Sequence, residues 1–273
     1  MRVVFDFQND PGAPFDVSPL IPARLLEMQL RDMHHLELQS GKERIPLGDL
    51  CCIHQDQEGD DCVLIKGHTS SLHRLGWKMS AGRLILAGNA GRWVGAGMSG
   101  GELFVQGDAG DNAGVGMSGG FLSFSGSVGE SAGGAKAGAQ TGMNGGVIII
   151  GGNAGDLLGE RMRRGLIFCS GNAGKLCGAG MLAGSILVAG RLGAGAGLRM
   201  RRGSIAAGSS VPLLPGFHKS GAAAFGWISL ACSWLQRLGA NVPLEWKTGC
   251  FLKYCGHDLE LNKGEILIYD PDQ

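Results

Sequence analysis

The stretch Met98-Ser-Gly-Gly-Glu-Leu-Phe-Val-Gln-Gly107 is one unit of a repeat that occupies residues 79–208. Each unit consists of a methionine, two variable residues, a glycine, a short run of alternating apolar residues and a closing glycine. Five of the six intervals between the methionines are 19 residues, and the sixth is 26 because of a seven-residue insertion that we place at residues 134–140. The methionines are Met79, Met98, Met117, Met143, Met162, Met181 and Met200.

The apolar alternation in each unit is typical of one short β-strand, because side chains two residues apart share a face of a strand. The paired positions are Leu84/Leu86, Leu103/Val105, Leu122/Phe124, Ile148/Ile150, Ile167/Cys169, Ile186/Val188 and Ile205/Ala207. A second, weaker alternation follows each strand. A helix is excluded here, since glycine costs about 1 kcal/mol in a helix interior and 37 of the 50 glycines lie in this region.

A fixed period near 20 residues with glycine-rich corners predicts a solenoid, in which each repeat forms one coil and stacks on the next. We predict an all-β protein, a right-handed parallel β-helix of about seven 19-residue coils, with the handedness taken from the crossover rule. All nine prolines lie outside residues 47–211, so the predicted ladders lose no backbone donor. The predicted division is an N-terminal cap (1–57), the β-helix (58–210) and a C-terminal cap (211–273).

Two features of the coils carry specific predictions. The methionines should point into the stack, because methionine fills irregular gaps in a core. A polar residue follows each closing turn, and we expect a structural ladder in which these side chains bond back to their own turns. Its members are Asn89, Asp108, Ser127, Asn153, Asn172, Arg191 and Ser210.

Outside the repeat, the sequence predicts short elements that close both ends of the stack, since an open solenoid end exposes unpaired strand edges. The C-terminal helix is apolar around much of its circumference and needs a partner on more than one side, which makes Trp227 and Trp234 candidates for a partner interface. The predicted elements are a strand at 2–7, a helix from Pro22, a strand pair at 36–38 and 45–53, a degenerate coil at 62–67, a helix at 221–238, and strands at 250–255 and 264–269.

Composition and charge argue against several classes of function. Twenty-four basic residues balance 24 acidic ones, which argues against bulk attraction to nucleic acid or to an anionic membrane. The eight cysteines form no Cys-x-x-Cys pair, which predicts reduced thiols and neither zinc nor iron–sulfur binding. The N-terminus lacks signal-peptide features, and the apolar run 222–235 is too short to span a bilayer. We expect a cytoplasmic protein that binds neither nucleic acid nor membrane.

Two further motifs carry no functional prediction. His68 and His73 have no third metal ligand near them in sequence, so no metal site is predicted. The Gly-x-Gly-x-x-Gly segments at 95–100 and 114–119 are one repeat position occurring twice, and neither opens a helix, as dinucleotide binding would require.

Two arginine clusters break the neutrality of the repeat at the same repeat position, two coils apart. Stacking would place them about 10 Å from one another along one edge. Guanidinium groups this close repel each other unless anions lie among them, and the arginine fork suits carboxylates. We expect an interface with acidic residues of a neighbouring subunit or, failing that, a solvated edge. The clusters are Arg161, Arg163 and Arg164 around Met162, and Arg199, Arg201 and Arg202 around Met200.

The glycine-and-methionine coils are flanked by Ile45-Pro-Leu-Gly-Asp-Leu50 and by Gly256-His-Asp-Leu-Glu-Leu-Asn-Lys-Gly-Glu-Ile-Leu267. Together these features resemble the C subunit of formylmethanofuran dehydrogenase and of its bacterial counterpart, the formyltransferase/hydrolase complex. The resemblance covers most of the chain. Similar coils occur in the C-terminal domain of the glutamate synthase large subunit, but the two flanking segments favour the one-carbon family.

The resemblance implies a structural subunit of a cytoplasmic complex, with no catalytic residue, metal or cofactor of its own. In the archaeal enzymes, molybdenum or tungsten and iron–sulfur clusters lie on other subunits. In the bacterial complex, amidohydrolase-like and formyltransferase subunits, beside a molybdopterin-protein-like one, pass formyl from tetrahydromethanopterin to a furan carrier (methanofuran or methylofuran) and release formate. The sequence does not distinguish the two types. The glutamate-rich tail of such carriers gives the arginine clusters a second expected ligand.

Two other functions remain open from the sequence. A glutamate-synthase-like β-helix would link catalytic domains of an amidotransferase. A stand-alone acyltransferase of the left-handed hexapeptide type would show a six-residue sub-period and a histidine in the coils, and the repeat has neither.

Overall fold

A computed structural model describes residues 1–9, 12–56, 60–256 and 260–272. The described part of the chain is mostly β-strand with a few short helices. The strands are β1 (Arg2–Phe7), β2 (Phe15–Asp16), β3 (Glu37–Ser40), β4 (Glu43–Pro46), β5 (Cys52–Asp56), β6 (Cys62–Gly67), β7 (Leu72–His73), β8 (Arg83–Ala87), β9 (Ser99–Val105), β10 (Ser118–Phe124), β11 (Asn144–Ile150), β12 (Arg164–Cys169), β13 (Ser185–Leu192), β14 (Arg202–Ser210), β15 (His218–Ala223), β16 (Cys250–Gly256) and β17 (Lys263–Asp270). The helices are α1 (Pro22–Leu25), α2 (Leu30–His34), α3 (Leu47–Leu50) and α4 (Gly226–Arg237), with a 3₁₀ helix at Leu244–Lys247.

The strands of the repeat form one large sheet in which successive coils are neighbours. Within the described residues this sheet has 13 strands in the order β15-β16-β17-β14-β13-β12-β11-β10-β9-β8-β6-β1-β5. Pairing is parallel throughout the coils, and equivalent residues face each other, as in the series Leu84, Leu103, Leu122 and Ile148. Isolated bridges form a second parallel ladder after each strand. The prediction of a mostly β protein with a large, mainly parallel sheet is confirmed, and the architecture is β-helix-like.

Close approach between coils explains the glycines that follow each methionine. A Cβ at Gly100 would lie 2.3 Å from the carbonyl oxygen of Ser80 in the preceding coil. Gly101 has a φ of +76°, which L side chains rarely adopt, and the Cε of Met79 occupies the space that its Cβ would need. A side chain at either position would force the coils apart.

The interior of the stack is a continuous apolar core. All seven repeat methionines are 0% exposed, as predicted, and the apolar pairs such as Ile167 and Cys169 are equally buried. The methionine position is therefore the inward side of the turn that precedes each strand.

Five of the seven predicted residues form the ladder, but with different hydrogen-bond partners. They are Asn89, Asp108, Ser127, Asn153 and Asn172. The Oδ1 of Asn89 accepts the backbone N–H of Asp108 at 2.8 Å, and the Oδ1 of Asn153 accepts that of Asn172 at 2.8 Å. These side chains bond forward to the next coil, whereas the sequence predicted bonds back to their own turns. The reason is the strand spacing of about 4.8 Å, which brings the equivalent N–H of the next coil within reach.

The N-terminal residues extend the main sheet and add a four-stranded one, ordered β4-β3-β2-β7. β1 lies between β6, to which it is parallel, and β5, to which it is antiparallel. The predicted strand at 2–7, the helix from Pro22 and the coil at 62–67 are confirmed. The predicted pairing of 36–38 with the next strand is confirmed as β3 with β4. The predicted extent of that second strand, 45–53, is wrong, because the ladder ends at Pro46, which lacks a backbone donor, and α3 follows. The predicted boundary between residues 57 and 58 lies outside the described residues.

The C-terminal residues form a helix that is shorter than the predicted 221–238. Residues 221–223 belong to β15, because Gly221 takes a φ of +140°, far from helical values, and pairs with Lys253. Helix α4 packs on the outward face of the sheet, over a column of side chains that includes Phe168 and Leu187. The predicted strands at 250–255 and 264–269 are confirmed as β16 and β17. Part of the family-like ending, residues 257–259, lies outside the described residues.

Candidate functional site

The turns that contain the methionines meet the seven-residue insertion at a cavity of about 410 Å³ on one edge of the stack. Three of the six predicted arginines line this cavity. Its lining residues are Gln140, Thr141, Glu160, Arg161, Ala179, Gly180, Leu182, Leu198, Arg199, Arg201 and Glu260. We call this the arginine cavity.

Glu260 supplies the anion that two of these arginines need. Its carboxylate oxygens accept hydrogen bonds from the Nε of Arg199 at 3.3 Å and the Nε of Arg201 at 3.2 Å, and its side chain is 13% exposed. Burial alone would raise the pKa of the Glu260 carboxyl, but the hydrogen bonds and charges of the two arginines outweigh burial and lower that pKa below its ordinary value. The carboxylate therefore stays charged at neutral pH, and each guanidinium keeps donors that it does not use on Glu260.

Arg161 ties the insertion to the coils. Its Nη1 donates to the carbonyl oxygen of Ala139 at 2.7 Å, and its Nε lies 3.4 Å from a carboxylate oxygen of Glu160. These contacts hold the insertion in place as one wall of the arginine cavity. Among the described residues, the cavity contains three guanidinium groups but only two carboxylates, those of Glu160 and Glu260. The cavity thus has a net positive charge suited to a further carboxylate.

The backbone at two of these arginines lies in the left-handed region. Arg161 has a φ of +52° and Arg199 of +56°, at a repeat position where Gly97, Gly116 and Gly180 stand in other coils. A residue other than glycine costs of order 1 kcal/mol or more there. Both arginines therefore carry a local backbone cost.

The structure separates the other three arginines from this cavity. Arg163, Arg164 and Arg202 are exposed and do not line it, although Arg164 and Arg202 begin strands β12 and β14. The six arginines therefore form an inner group at the cavity and an outer group beside it.

Two cations that the sequence analysis missed continue the same edge toward the N-terminus. Lys78 stands at the repeat position of Arg161, and Lys136, in the insertion, lies over Gly97 and Gly116 of the intervening coils. The Nζ of Lys136 is 5.0 Å from the centre of the Trp77 ring, whose other cation neighbour is Arg74 at 5.1 Å. The regular repeat could have revealed Lys78, whereas nothing in the sequence indicated where the insertion folds.

The predicted tryptophans lie on α4. Trp227 is half-buried in the packing of α4 on the sheet, and Trp234 is 44% exposed. Leu230, on the same helix, is 75% exposed. Helix α4 thus presents apolar surface that the described part of this chain does not cover.

The two histidines near the first coils show no metal-binding arrangement. The Nδ1 of His73 accepts the backbone N–H of Arg92 at 3.4 Å, and burial, followed by the charges of Arg92 and Arg74, lowers the pKa of its imidazole. Residues 1–9, 12–56, 60–256 and 260–272 bring together no group of three or more histidine, cysteine or acidic side chains fit to hold a metal.

A solved structure matches this chain over nearly its whole length. A chain in the X-ray crystal structure of the formyltransferase/hydrolase complex (FhcABCD) from Methylorubrum extorquens in complex with methylofuran is 35% identical, with a TM-score of 0.90, over 97% of this chain and 98% of that one. Curated proteins with similar sequences include C subunits of tungsten-containing formylmethanofuran dehydrogenase 2. The chain belongs to the family that comprises the C subunits of formylmethanofuran dehydrogenase and of the formyltransferase/hydrolase complex.

Similarity to the curated members of this family is local. The Methanococcus maripaludis protein is 30% identical over 94 residues, and the Methanothermobacter wolfeii protein is 31% identical over 99 residues. These segments cover about a third of this chain and about a third of each relative (35% and 37%). No family model matches the chain. Among the described residues, no helix combines the length and apolar character needed to cross a membrane.

Proposed function

We propose that this protein is the structural, non-catalytic C subunit of a multi-subunit formyl-transfer complex in tetrahydromethanopterin-linked one-carbon metabolism. The observation that carries the proposal is the end-to-end match to a chain of the formyltransferase/hydrolase complex, at 35% identity and 97% coverage. The uncovered apolar side chains of α4 support it, since such surface marks a protein interaction site. The complex is either a formyltransferase/hydrolase or a formylmethanofuran dehydrogenase and works in the cytoplasm.

The proposal includes the role of the coils. A right-handed parallel β-helix (58–210) serves as a rigid rod between an N-terminal cap (1–57) and a C-terminal cap (211–273). The direct pairing of equivalent residues in successive coils supports a rod that resists bending, because each coil is hydrogen-bonded to both neighbours. The partners are amidohydrolase-like, formyltransferase and molybdopterin-protein-like subunits, and any tungsten, molybdenum or iron–sulfur centre belongs to them.

The arginine cavity is proposed to bind carboxylates in the assembled complex. One ligand is the glutamate-rich tail of a furan carrier, which would let the reactive end of the carrier move between active sites on other subunits. The alternative ligand is an acidic segment of a neighbouring subunit. Three guanidinium groups beside the side chains of Gln140 and Thr141 suit either one, since the arginine fork matches a carboxylate.

Substitution of the two arginine groups separates these ligands. The inner variant carries Arg161→Gln, Arg199→Gln and Arg201→Gln, and the outer variant carries the same change at Arg163, Arg164 and Arg202. Loss of carrier from an intact complex in the inner variant alone supports tail binding. Dissociation of a subunit supports the interface with an acidic segment. The variant in which it occurs, inner or outer, shows which three arginines form that interface. Unchanged carrier content, activity and assembly in both variants contradict both ligands.

Identification of co-purifying subunits tests the proposed function as a whole. The chain, tagged and purified from its source cells, should bring down a formyltransferase and an amidohydrolase-like protein in fixed ratio, as measured by mass spectrometry. A glutamine-hydrolysing amidotransferase in their place would support the linker function of glutamate synthase. Purification of a monomer without partners would contradict the proposed function.

A further inference from the structure

The outward face of the main sheet remains apolar beyond the part that α4 covers. The column Ile149, Phe168 and Leu187 lies under α4 and is at most 4% exposed. By register the same column continues into earlier coils through Ser123 to Phe104 and Ile85, which are only half-buried. The sheet therefore has a covered half and an uncovered half on one face.

A groove of about 620 Å³ occupies the uncovered half. Ile85, Phe104 and Ile149 contribute apolar lining, and residues 239–241, directly after α4, form one side. The charged residue in its lining, Arg83, is paired with Glu102 at 2.8 Å. A ligand in this groove would thus meet apolar side chains together with hydroxyl and amide groups, and no unpaired charge among the lining residues.

The width of the groove fits a helix. The lining includes residues of three neighbouring strands, β8, β9 and β10, and at about 4.8 Å per strand these make a floor about 14 Å wide. A helix with its side chains is about 10–12 Å across. Helix α4 shows that this face accepts a helix packed through aliphatic side chains such as Ile228 and Leu235.

An exposed aromatic side chain lies near the end of α4 from which the chain runs into the groove. Trp234 is 44% exposed, α4 ends at Arg237, and residues 239–241 line the groove. Aromatic side chains are enriched at the centres of protein interfaces.

We propose that the groove over β8, β9 and β10 receives an amphipathic helix from a different subunit, which lies beside α4 and completes the helical layer over the sheet. The helix presents aliphatic or aromatic side chains to Ile85 and Phe104. This inference rests on the proposed function, because it requires the chain to be one subunit of a complex, and it adds which surface binds and what kind of element binds there.

Site-specific cross-linking in the purified complex tests the groove directly. A photo-reactive phenylalanine analogue (benzoylphenylalanine) replaces Phe104 in one sample and the exposed Glu43, on β4, in the control. The expected result is a cross-link from position 104 to a helical peptide of another subunit, with a yield at least about tenfold above that in the isolated chain. Cross-links only to a second copy of this chain, or only within the chain, overturn the proposal. If no partner co-purifies at all, the proposed function fails first.

A groove-filling substitution gives a second measurement that leaves the apolar floor in place. Ser123→Trp adds an indole in the middle of the groove, and Ser99→Trp places the same side chain at an exposed position of the neighbouring strand. We expect Ser123→Trp to reduce recovery of the groove-binding subunit about tenfold or more, while Ser99→Trp leaves it within about twofold. Circular dichroism melts verify that both variants fold. Full recovery with a folded Ser123→Trp variant overturns the proposal.

Discussion

Single residues of the repeat combine two requirements, a buried side chain and a backbone that lets the coils approach closely. Each methionine supplies the first, and the glycines after it supply the second. At Gly101, for example, the Cε of Met79 in the preceding coil lies where a Cβ would be, and at Gly100 the carbonyl oxygen of Ser80 does. Replacing either residue affects the neighbouring coil as well as its own. Arg161 and Arg199 depart from this rule, since each takes a left-handed backbone conformation with a long side chain.

Substitution at Met117 tests the buried column. Met117 is 0% exposed, and Met117→Asp would place an unpaired charge in a dry core, at a cost of several kcal/mol. We expect this variant to lose its folded circular dichroism signal. Met117→Leu, the matched control, should cost less than about 1.5 kcal/mol in the free energy of unfolding. An Asp variant that melts like the unmodified protein would show that the column faces solvent.

Glu260 should make stability depend on pH. The pKa of its carboxyl is lowered in the folded protein, against an ordinary value of 4.5. Its stabilising effect is therefore complete above the unfolded-state pKa and is lost as pH falls through the lower folded-state pKa. We expect Glu260→Gln to melt at a lower temperature than the unmodified protein at pH 7, and the difference to disappear well below pH 4.5.

The matched control for this pH series is Glu43→Gln, at an exposed carboxyl of β4. Its melting temperature should follow that of the unmodified protein at every pH. Equal melting temperatures for Glu260→Gln and the unmodified protein at pH 7 would mean that the ion pairs with Arg199 and Arg201 contribute nothing to stability.

At the scale of elements, the insertion is a separate piece added to a regular coil. Gly133, just before it, has a φ of +63°, the same as Gly114 one coil earlier, so the regular turn is already formed where the insertion begins. The insertion then reaches back to Trp77 through Lys136 and forward to Arg161 through Ala139. The insertion therefore contacts several coils along the edge, although in sequence it is part of only one coil.

Deletion of residues 134–140 should leave the fold intact. The interval from Met117 to Met143 would become 19 residues, as in the other coils, and circular dichroism should show an unchanged β-sheet signal. Tryptophan fluorescence should change, because Trp77 loses its contact with Lys136. The matched control removes seven residues that form a strand, Asn144–Ile150, and should prevent folding. A deletion of 134–140 that unfolds the protein would show that the insertion is an integral part of the coil.

In the molecule as a whole, the inner core and the outer face of the main sheet differ in how completely they are covered. The inner core is buried along the whole stack. Helix α4 covers only half of the outer face and leaves its own Leu230 and Trp234 exposed. The inner core therefore does not depend on the apolar surface that remains uncovered.

The isolated chain should associate through α4. We expect concentration-dependent oligomers in light scattering after size-exclusion chromatography, because exposed apolar surface favours association. Trp234→Ser combined with Leu230→Ser should shift the chain toward monomer, whereas Leu244→Ser, at a 72% exposed leucine outside α4, should have less effect. A parent chain that remains monomeric at high concentration would contradict an interface on α4.

The coils and their core follow from the sequence, because pairing between neighbouring repeats gives the sequence a regular period. That period placed the methionines from Met79 to Met200 in the core and placed Arg161 and Arg199 on one edge. Three contacts became visible only in the folded chain: Glu260 lies between Arg199 and Arg201, Lys136 contacts Trp77, and α4 covers one half of the outer face. Each of these contacts joins a non-repeating segment to the coils. Where such a segment folds cannot be predicted from the period of the repeat, because the segment is not part of the repeat.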